Sequence, residues 1–186
     1  DCETSERETL ALAGFYNLTN GPSWTARQQS RWLQGDPCHQ KWSGVTCRSL
    51  SGSYQTFREL TTISISSTGN TGGSIPGHVL VELRDLETLN LIQMGLLGEI
   101  PSEISNLTKL KSLQLYSNSL TGEITTALGR LEHLSTLRLN SNSLTGKIPI
   151  ALGHLPLRDV RLYSNDLFGS IPVEWCMEAT MPEVLQ

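Results

Sequence analysis

Few residues in this sequence have the type and spacing that catalysis or metal binding requires. His78 and Glu82 lie four positions apart, a spacing that differs from the HExxH arrangement in which two histidines share a zinc ion. The stretch 69–74 is rich in glycine but lacks the Gly-Lys-Ser/Thr ending of a phosphate-binding loop. Glu99 and Glu103 are predicted to be solvated surface charges. We therefore predict no enzyme activity, no catalytic residues, no metal site and no cofactor.

The cysteines are predicted to form disulfide bonds rather than a metal site. The four cysteines are Cys2, Cys38, Cys47 and Cys176. They allow three complete pairings. A zinc site is disfavoured because the spacing offers no second close pair of ligands, and His39 is directly adjacent to Cys38. Cys2 and Cys176 are predicted to lie near opposite ends of the molecule, so their partners stay open.

Two Asn-Leu-Thr sequons, which begin at Asn17 and Asn106, are candidate N-glycosylation sites and favour secretion. Composition narrows the class of protein further. The chain has 186 residues, a formal net charge of −4, 38% hydrophobic residues and 17% charged residues. This is the size of one domain with enough apolar surface for a core, which excludes disorder. The acidic balance argues against a nucleic-acid partner, and no apolar run is long enough to span a membrane.

The elements that must position these residues come from an internal repeat. The segment from Leu107 to Ile124 recurs 24 residues later, from Leu131 to Ile148, with the same Leu, Asn and Gly positions. Further copies fit residues 83–106 and 155–172, and a degenerate copy runs over 60–76. A fixed period of this length predicts a solenoid in which each repeat buries its apolar face against its neighbours.

The pattern LxxLxxLxLxxNxLxGxIPxxL resembles the plant-type leucine-rich repeat over residues 57–176. The resemblance implies an α/β repeat solenoid: a right-handed superhelix of five repeats with a concave parallel β-sheet, extended or 3₁₀ segments opposite, and a helical N-terminal cap. Each Leu-x-Leu places two side chains on one face of a short strand. Residues 177–186 are predicted to be a C-terminal tail of a longer protein.

Asparagines at the strand ends are predicted to satisfy buried backbone groups in the turns. They are Asn118, Asn142 and Asn165. Thr68 and Met94 occupy this position in the first two repeats, so we expect the amide ladder to be broken there and the turns to be less regular. Gly122, Gly146 and Gly169 are predicted to form tight bends before the Ile-Pro segments.

Residues 1–56 are predicted to form the N-terminal cap. Ser5 and Glu8 form a capping box that opens an amphipathic helix, and Gly21-Pro22 ends it. Its apolar face is predicted to comprise Leu10, Ala13, Phe15 and Leu18. The segment 38–47 is similar to the caps of secreted leucine-rich repeat proteins, and this resemblance implies a disulfide between Cys38 and Cys47. Residues 6–24 are more similar to the caps of secreted protist proteins, including the cyst wall proteins of Giardia.

The remaining candidate site is the concave face of the sheet. Between the core positions of successive strands lie Ser64, Asn90, Gln114, Arg138 and Arg161, and just after them lie Ser66, Ile92, Tyr116, Asn140 and Tyr163. Aromatic faces can stack on sugars or peptide side chains, and Arg, Asn and Gln can hydrogen-bond to hydroxyl, amide or carboxylate groups. The predicted ligand-binding residues are Asn90, Gln114, Tyr116, Arg138, Asn140, Arg161 and Tyr163.

Two functions follow from the two resemblances. The cap resemblance implies a secreted structural component of a cell or cyst wall that binds an extracellular polysaccharide through the concave face. The alternative, implied by the plant-type repeats, is a receptor or inhibitor ectodomain that recognises a protein or peptide. Self-association through unpaired cysteines or through the repeats is a further predicted interaction.

Overall fold

The structure is a computed structural model that describes residues 6–29, 31–51, 56–66 and 72–177. The helices are α1 (Glu6–Leu18), α2 (Ala26–Gln29), α3 (Gly77–Leu80) and α4 (Glu174–Met177). The 3₁₀ helices are η1 (Gly21–Ser23), η2 (Ser102–Asn106), η3 (Thr126–Arg130) and η4 (Ile150–His154). The main strands are β1 (Val45–Ser51), β2 (Thr56–Ser66), β3 (Thr88–Ile92), β5 (Ser112–Gln114), β7 (Thr136–Arg138) and β9 (Asp159–Arg161). A two-residue strand follows each of the last four main strands: β4 (Leu97–Gly98), β6 (Ser119–Leu120), β8 (Thr145–Gly146) and β10 (Asp166–Leu167).

The main sheet confirms the predicted repeat solenoid. Its strand order is β1-β2-β3-β5-β7-β9, and every neighbouring pair from β2 to β9 is parallel. The repeats stack without slippage, because Leu89, Leu113, Leu137 and Val160 are paired in consecutive strands. On the opposite side, η2, η3 and η4 confirm the predicted 3₁₀ segments.

The core lies between these two layers and is built mainly from leucine, with isoleucine as the next most frequent residue. The inward residues of the central strands, including Leu113, Leu115, Leu137 and Leu139, have no exposed surface. Burying one such side chain contributes about 1.5–3 kcal/mol, so the stacked strands are the main source of stability. Rigid stacking of this kind fixes the positions of the outward side chains on the other face of the same strands.

The amide ladder forms as predicted. The amide nitrogen of Asn142 donates to the carbonyl oxygens of Leu115 and Leu139, both at 3.0 Å, and its oxygen accepts from the backbone nitrogen of Leu120 at 3.1 Å. Asn118 and Asn165 make the equivalent bonds. Each asparagine therefore satisfies the turn of its own repeat and that of the repeat before it.

The expected irregularity at Met94 is not observed. The residue before it, Gln93, has φ 53, close to φ 58 of Ser117 and Ser141 in the following turns. The Met94 turn keeps this geometry because the Asn118 oxygen accepts hydrogen bonds from the backbone nitrogens of Met94 and Leu96. The prediction failed because the amide that serves a turn comes from the next repeat. Thr68 lies outside the described residues.

Glycines close each bend as predicted. Gly122, Gly146 and Gly169 have φ 76, 79 and 90. This left-handed region is accessible to glycine at little cost. A Cβ atom at Gly122 would also lie 2.7 Å from Cγ of Glu99, so neighbouring repeats approach closely at the bend.

In the cap, the buried face of α1 differs from the predicted one. Leu10 is 66% exposed and Leu18 is 40% exposed, whereas Leu12, Phe15 and Tyr16 are buried. Phe15 was assigned correctly. The apolar residues 11, 12, 15 and 16 form a second stripe, and packing on the repeats and the cap aromatics selects it. The helix ends at Leu18 and η1 follows at Gly21, as expected, while Ser5 of the predicted capping box lies outside the described residues.

An aromatic cluster and a disulfide hold the rest of the cap together. The cluster comprises Tyr16, Trp24, Trp32 and Trp42, whose neighbouring ring centroids lie 5.0–5.5 Å apart. The predicted bond between Cys38 and Cys47 is present, with a Cα–Cα separation of 5.6 Å. Strand β1, which carries Cys47, pairs antiparallel with β2 and so joins the cap to the first repeat.

Candidate functional site

The outward residues of the main sheet form rows across the strands, as predicted. Ser64 is paired with Asn90, Asn90 with Gln114, Gln114 with Arg138, and Arg138 with Arg161. Strands in one sheet lie about 4.8 Å apart, so the five parallel strands span about 19 Å. The candidate site is therefore a continuous face rather than an enclosed pocket.

The centre of the site is an ion cluster on the last two strands. Nε of Arg138 donates to Oδ2 of Asp159 at 2.9 Å, and Nε of Arg161 donates to Oδ1 of the same carboxylate at 3.1 Å. Nη1 of Arg138 also donates to Oε1 of Gln114 at 3.4 Å. Asp159 therefore fixes two arginines from neighbouring strands, and we call Arg138, Asp159 and Arg161 the arginine cluster.

The arginine cluster carries a net positive charge because two guanidinium groups surround one carboxylate. The side chains are only partly exposed, at 28% for Arg138, 22% for Asp159 and 34% for Arg161. Partial burial acts to raise the pKa of Asp159, but hydrogen bonds and charges from Arg138 and Arg161 outweigh it, so the pKa lies below the ordinary value. Asp159 therefore stays ionised at neutral pH and holds both arginines.

The two arginines differ in their remaining hydrogen-bonding capacity. Arg138 uses both sides of its guanidinium group on Asp159 and Gln114. Arg161 bonds Asp159 only through Nε, and its two terminal nitrogens donate to none of the described residues. Because both terminal nitrogens of Arg161 can donate, its guanidinium group suits a carboxylate, which can accept two parallel N–H bonds.

Two tyrosines border the arginine cluster. Tyr163, two residues beyond Arg161, is 40% exposed, and Tyr116 is half-buried. Asn140 lies between them in the stack and differs from the prediction, because it is only 6% exposed and its Oδ1 is buried with no hydrogen-bond partner among the described residues. Asn140 therefore offers a ligand little surface.

The first strands present a different surface. Ser64 and Ser66 are exposed, and Asn90 and Ile92 are half-buried. Oδ1 of Asn90 is buried and has no hydrogen-bond partner among the described residues. The two rows of outward residues that start at Ser64 and Ser66 carry no charged side chain on β2 and β3. Their charged and aromatic side chains lie on, or directly after, β5, β7 and β9.

A second ion network lies where the cap meets the repeats. Arg48 on β1 bonds Glu59 at 2.9 Å and Glu87 at 2.8 Å, and Lys111 bonds Glu87 at 2.9 Å. Hydrogen bonds from Lys111 and Arg48 lower the pKa of Glu87, and those to Glu59 and Glu87 raise the pKa of Arg48. All its charges are paired with one another, so this network joins elements rather than presenting a binding group.

The other candidates from the sequence lie apart from this face. His78 is exposed, and the described residues contain no group of three His, Cys, Asp or Glu side chains placed to hold a metal ion. Asn17 and Asn106 are both exposed. Cys2 lies outside the described residues and Cys176 lies in α4, so their partners stay open. Among the described helices, none has both the length and the apolar character to cross a membrane.

Asp159 is the residue that sequence reasoning missed. It occupies the strand position held by Thr88, Ser112 and Thr136 in the preceding repeats. The sequence does contain a signal for this residue. At this position a carboxylate replaces the small hydroxyl residue of the preceding repeats, directly beside two arginine positions. The predicted rows of outward residues start between the two core positions, which is Arg161 in this strand and lies two residues after Asp159.

Comparison with known proteins supports the repeat assignment. The family described as Leucine Rich Repeat matches residues 109–131 and 133–155. A curated relative, Protein STRUBBELIG-RECEPTOR FAMILY 5 of Arabidopsis thaliana, is 32% identical over 106 residues, which is 55% of this chain. The aligned part is 13% of that protein, so this chain matches only a small part of its relative.

Solved structures share the architecture over almost the whole chain. The LRR ectodomain of the receptor kinase SOBIR1 from Arabidopsis thaliana superposes with a TM-score of 0.78 at 22% identity, covering 95% of this chain and 89% of that one. A plant ice-binding protein gives a TM-score of 0.76 at 32% identity, covering 94% of this chain and 52% of that one. The BIR3–SERK2 complex from Arabidopsis thaliana contains a chain with a TM-score of 0.68 at 27% identity, covering 94% of this chain and 90% of that one. The fold is thus a leucine-rich repeat solenoid of the plant type.

Proposed function

We propose that this chain is an extracellular, non-catalytic binding domain that recognises a protein or peptide segment through the concave face. The observation that carries the proposal is the arginine cluster, in which Asp159 holds Arg161 in place while the terminal nitrogens of Arg161, beside exposed Tyr163, donate to none of the described residues. The likeness to a chain of the BIR3–SERK2 complex supports a protein partner. The disulfide between Cys38 and Cys47 supports an extracellular location.

In this proposal each part of the chain has a separate task. Residues 1–56 close the end of the core, and residues 57–176 form the recognition face. No chemical step is assigned to any residue. The ligand-binding role of Asn90 and of the other residues predicted on the concave face is part of this proposal.

The chemistry of the face specifies the bound segment. A carboxylate would accept two N–H bonds from Arg161, and an apolar or aromatic side chain would pack on the ring of Tyr163. The sheet is about 19 Å wide, and an extended chain advances about 3.3 Å per residue, so about six residues fit across it. We therefore expect the partner to present a short extended segment with one acidic group near its end.

A peptide-display selection on the immobilised chain tests this proposal. Random peptides would be selected for binding, and the recovered sequences would be measured against the wild type and Arg161→Ala by calorimetry. We expect enrichment of acidic peptides and a loss of about tenfold or more in affinity for Arg161→Ala, since a charge-assisted pair contributes about 1.5–3 kcal/mol. Arg158→Ala is the matched control, because Arg158 is exposed and bonds none of the described side chains. Equal losses in the two variants, or selected peptides without acidic residues, would contradict the proposal.

A second candidate is an extracellular polysaccharide of a cell or cyst wall, with the chain as a structural component that also self-associates. The observation in its favour is the pair of tyrosines, Tyr116 and Tyr163, which border the face and could stack on sugar rings. Retention on insoluble cellulose or chitin distinguishes the two. Retention that is insensitive to salt and is lost in Tyr163→Ala would support the polysaccharide, whereas peptide binding through Arg161 weakens as salt is added.

A further inference from the structure

A polar groove on the convex side lies next to one of the two sequons. It runs between η2 and η3, is open to solvent and has a volume of about 470 Å³. Asn106, the last residue of η2, lines this groove together with Glu103, Thr126, Ala127 and Arg130. We propose that Asn106 carries an N-linked glycan whose first sugars lie in this groove.

The groove offers the bonding groups that an acetylated amino sugar requires. Arg130 and Thr126 make no side-chain hydrogen bond within the described part of the chain. Sugar hydroxyls can therefore accept from Arg130 and exchange hydrogen bonds with the Thr126 hydroxyl, and the methyl group of the acetamide can pack on Ala127. The carboxylate of Glu103 lies toward Gly77 of the preceding repeat and takes no part in this contact.

The geometry of Asn106 is compatible with modification. Its amide nitrogen, Nδ2, donates to the backbone oxygen of Glu103 at 2.9 Å, which uses one of its two hydrogens. In the transfer, Nδ2 attacks the anomeric carbon of a lipid-linked oligosaccharyl diphosphate. The bond from that carbon to the diphosphate breaks, the diphosphate leaves with the electron pair, and the amide loses one proton to the transferase. The hydrogen that remains on Nδ2 preserves the bond to Glu103.

The sequon at Asn17 differs because its threonine is buried in the folded chain. Its threonine, Thr19, has no exposed surface, and its hydroxyl donates to the Phe15 carbonyl oxygen at 2.7 Å. Thr108, the threonine of the Asn106 sequon, is exposed. A transferase must reach the threonine as well as the asparagine, so the Asn106 sequon stays accessible after folding and is expected to have the higher occupancy. This inference shares only the extracellular location with the proposed function.

Site occupancy is tested by secreting the full chain from a eukaryotic host. Digestion with peptide N-glycosidase in ¹⁸O water converts each glycosylated asparagine to a labelled aspartate, which peptide mass spectrometry locates. We expect label in nearly all peptides that contain residue 106 and less at residue 17. Thr108→Ala abolishes the label without disturbing the bond from Asn106 to Glu103, and Thr108→Ser retains it. Unlabelled Asn106 in secreted protein, or higher occupancy at Asn17, would overturn the inference.

Occupation of the groove is tested by hydrogen exchange on the same material. Glycosylated wild type is compared with Thr108→Ala, which keeps Asn106 but carries no glycan there, and we expect the backbone of η3 to exchange about threefold more slowly when the sugars are present. Arg130→Ala should remove this difference while leaving occupancy at Asn106 unchanged. The exposed variant Glu132→Ala serves as the matched control, because Glu132 does not line the groove. Identical exchange of η3 with and without the glycan would refute the placement of the sugars.

Discussion

Replacing one ladder asparagine tests how the repeats are held together. In Asn142→Leu, four hydrogen bonds disappear: one from the backbone nitrogen of Leu120, two to the carbonyl oxygens of Leu115 and Leu139, and a long one of 3.5 Å to the carbonyl oxygen of Asn140. The consequences are unequal. The carbonyl oxygen of Leu115 keeps a bond from Asn118 at 2.8 Å, and that of Leu139 keeps one from Asn165 at 3.0 Å. The backbone nitrogen of Leu120 loses its bond, and Leu120 has no exposed surface.

The expected cost follows from this difference. A buried N–H group without a partner costs about 1–3 kcal/mol, and each carbonyl that keeps one of two bonds loses about 0.5 kcal/mol. The sum is a destabilisation of about 2–4 kcal/mol for Asn142→Leu. Asn118→Leu combined with Asn142→Leu should exceed the sum of the single variants by about 1 kcal/mol, because Leu115 O then loses both ladder donors.

Urea denaturation followed by both fluorescence and circular dichroism measures these changes. Coincident transitions in the two signals justify a single free energy of unfolding. Ser143→Ala is the control, since Ser143 is exposed and adjacent to Asn142. An Asn142→Leu midpoint equal to that of the control, with an unchanged slope, would show that water satisfies Leu120 N and that the asparagine is not structural. Strict additivity in the double variant would show that Leu115 O does not couple the two repeats.

Two further predictions concern charge and the cap. The pKa of Asp159 is lowered in the folded chain, so its stabilising effect is fully present above the unfolded pKa of about 3.9 and is lost as the pH falls through the lower folded value. Urea midpoints of wild type and Asp159→Asn should therefore converge below about pH 4, and a constant difference down to pH 2 would exclude this linkage. Cys38→Ser with Cys47→Ser should cost about 2–3 kcal/mol and speed hydrogen exchange in the cap before that of the central strands, whereas a uniform loss of protection would show that the disulfide is not a local restraint.

Features that repeat along the chain were predictable because each copy has nearly the same surroundings. The strand register, the amide ladder and the bends at Gly122 and Gly146 all depend on residues one repeat away, and those residues follow the same pattern. The sequence therefore contains both partners of each interaction at a known spacing. The rows of outward residues could be assigned for the same reason.

Features set by unique neighbours were not predictable. Helix α1 has two apolar stripes, and only its packing against the repeats and the aromatic cluster shows that Leu12 rather than Leu10 is buried. The burial of Asn140 depends on the side chains stacked around it. In each case the burial depends on side chains of another element, so the local sequence pattern does not predict it.

Asp159 has two opposing effects on the proposed site. By binding Nε of both arginines it restricts their rotamers before a ligand arrives, and an immobilised side chain of this type otherwise costs about 0.5–1.5 kcal/mol on binding. Its negative charge also repels an incoming carboxylate, which must approach the far side of Arg161. The net charge of the arginine cluster remains positive, so attraction outweighs repulsion for a ligand that reaches the free nitrogens of Arg161. The face thus gains a rigid donor geometry in exchange for part of its charge, which favours selection by shape and hydrogen-bond direction over nonspecific attraction to acidic surfaces.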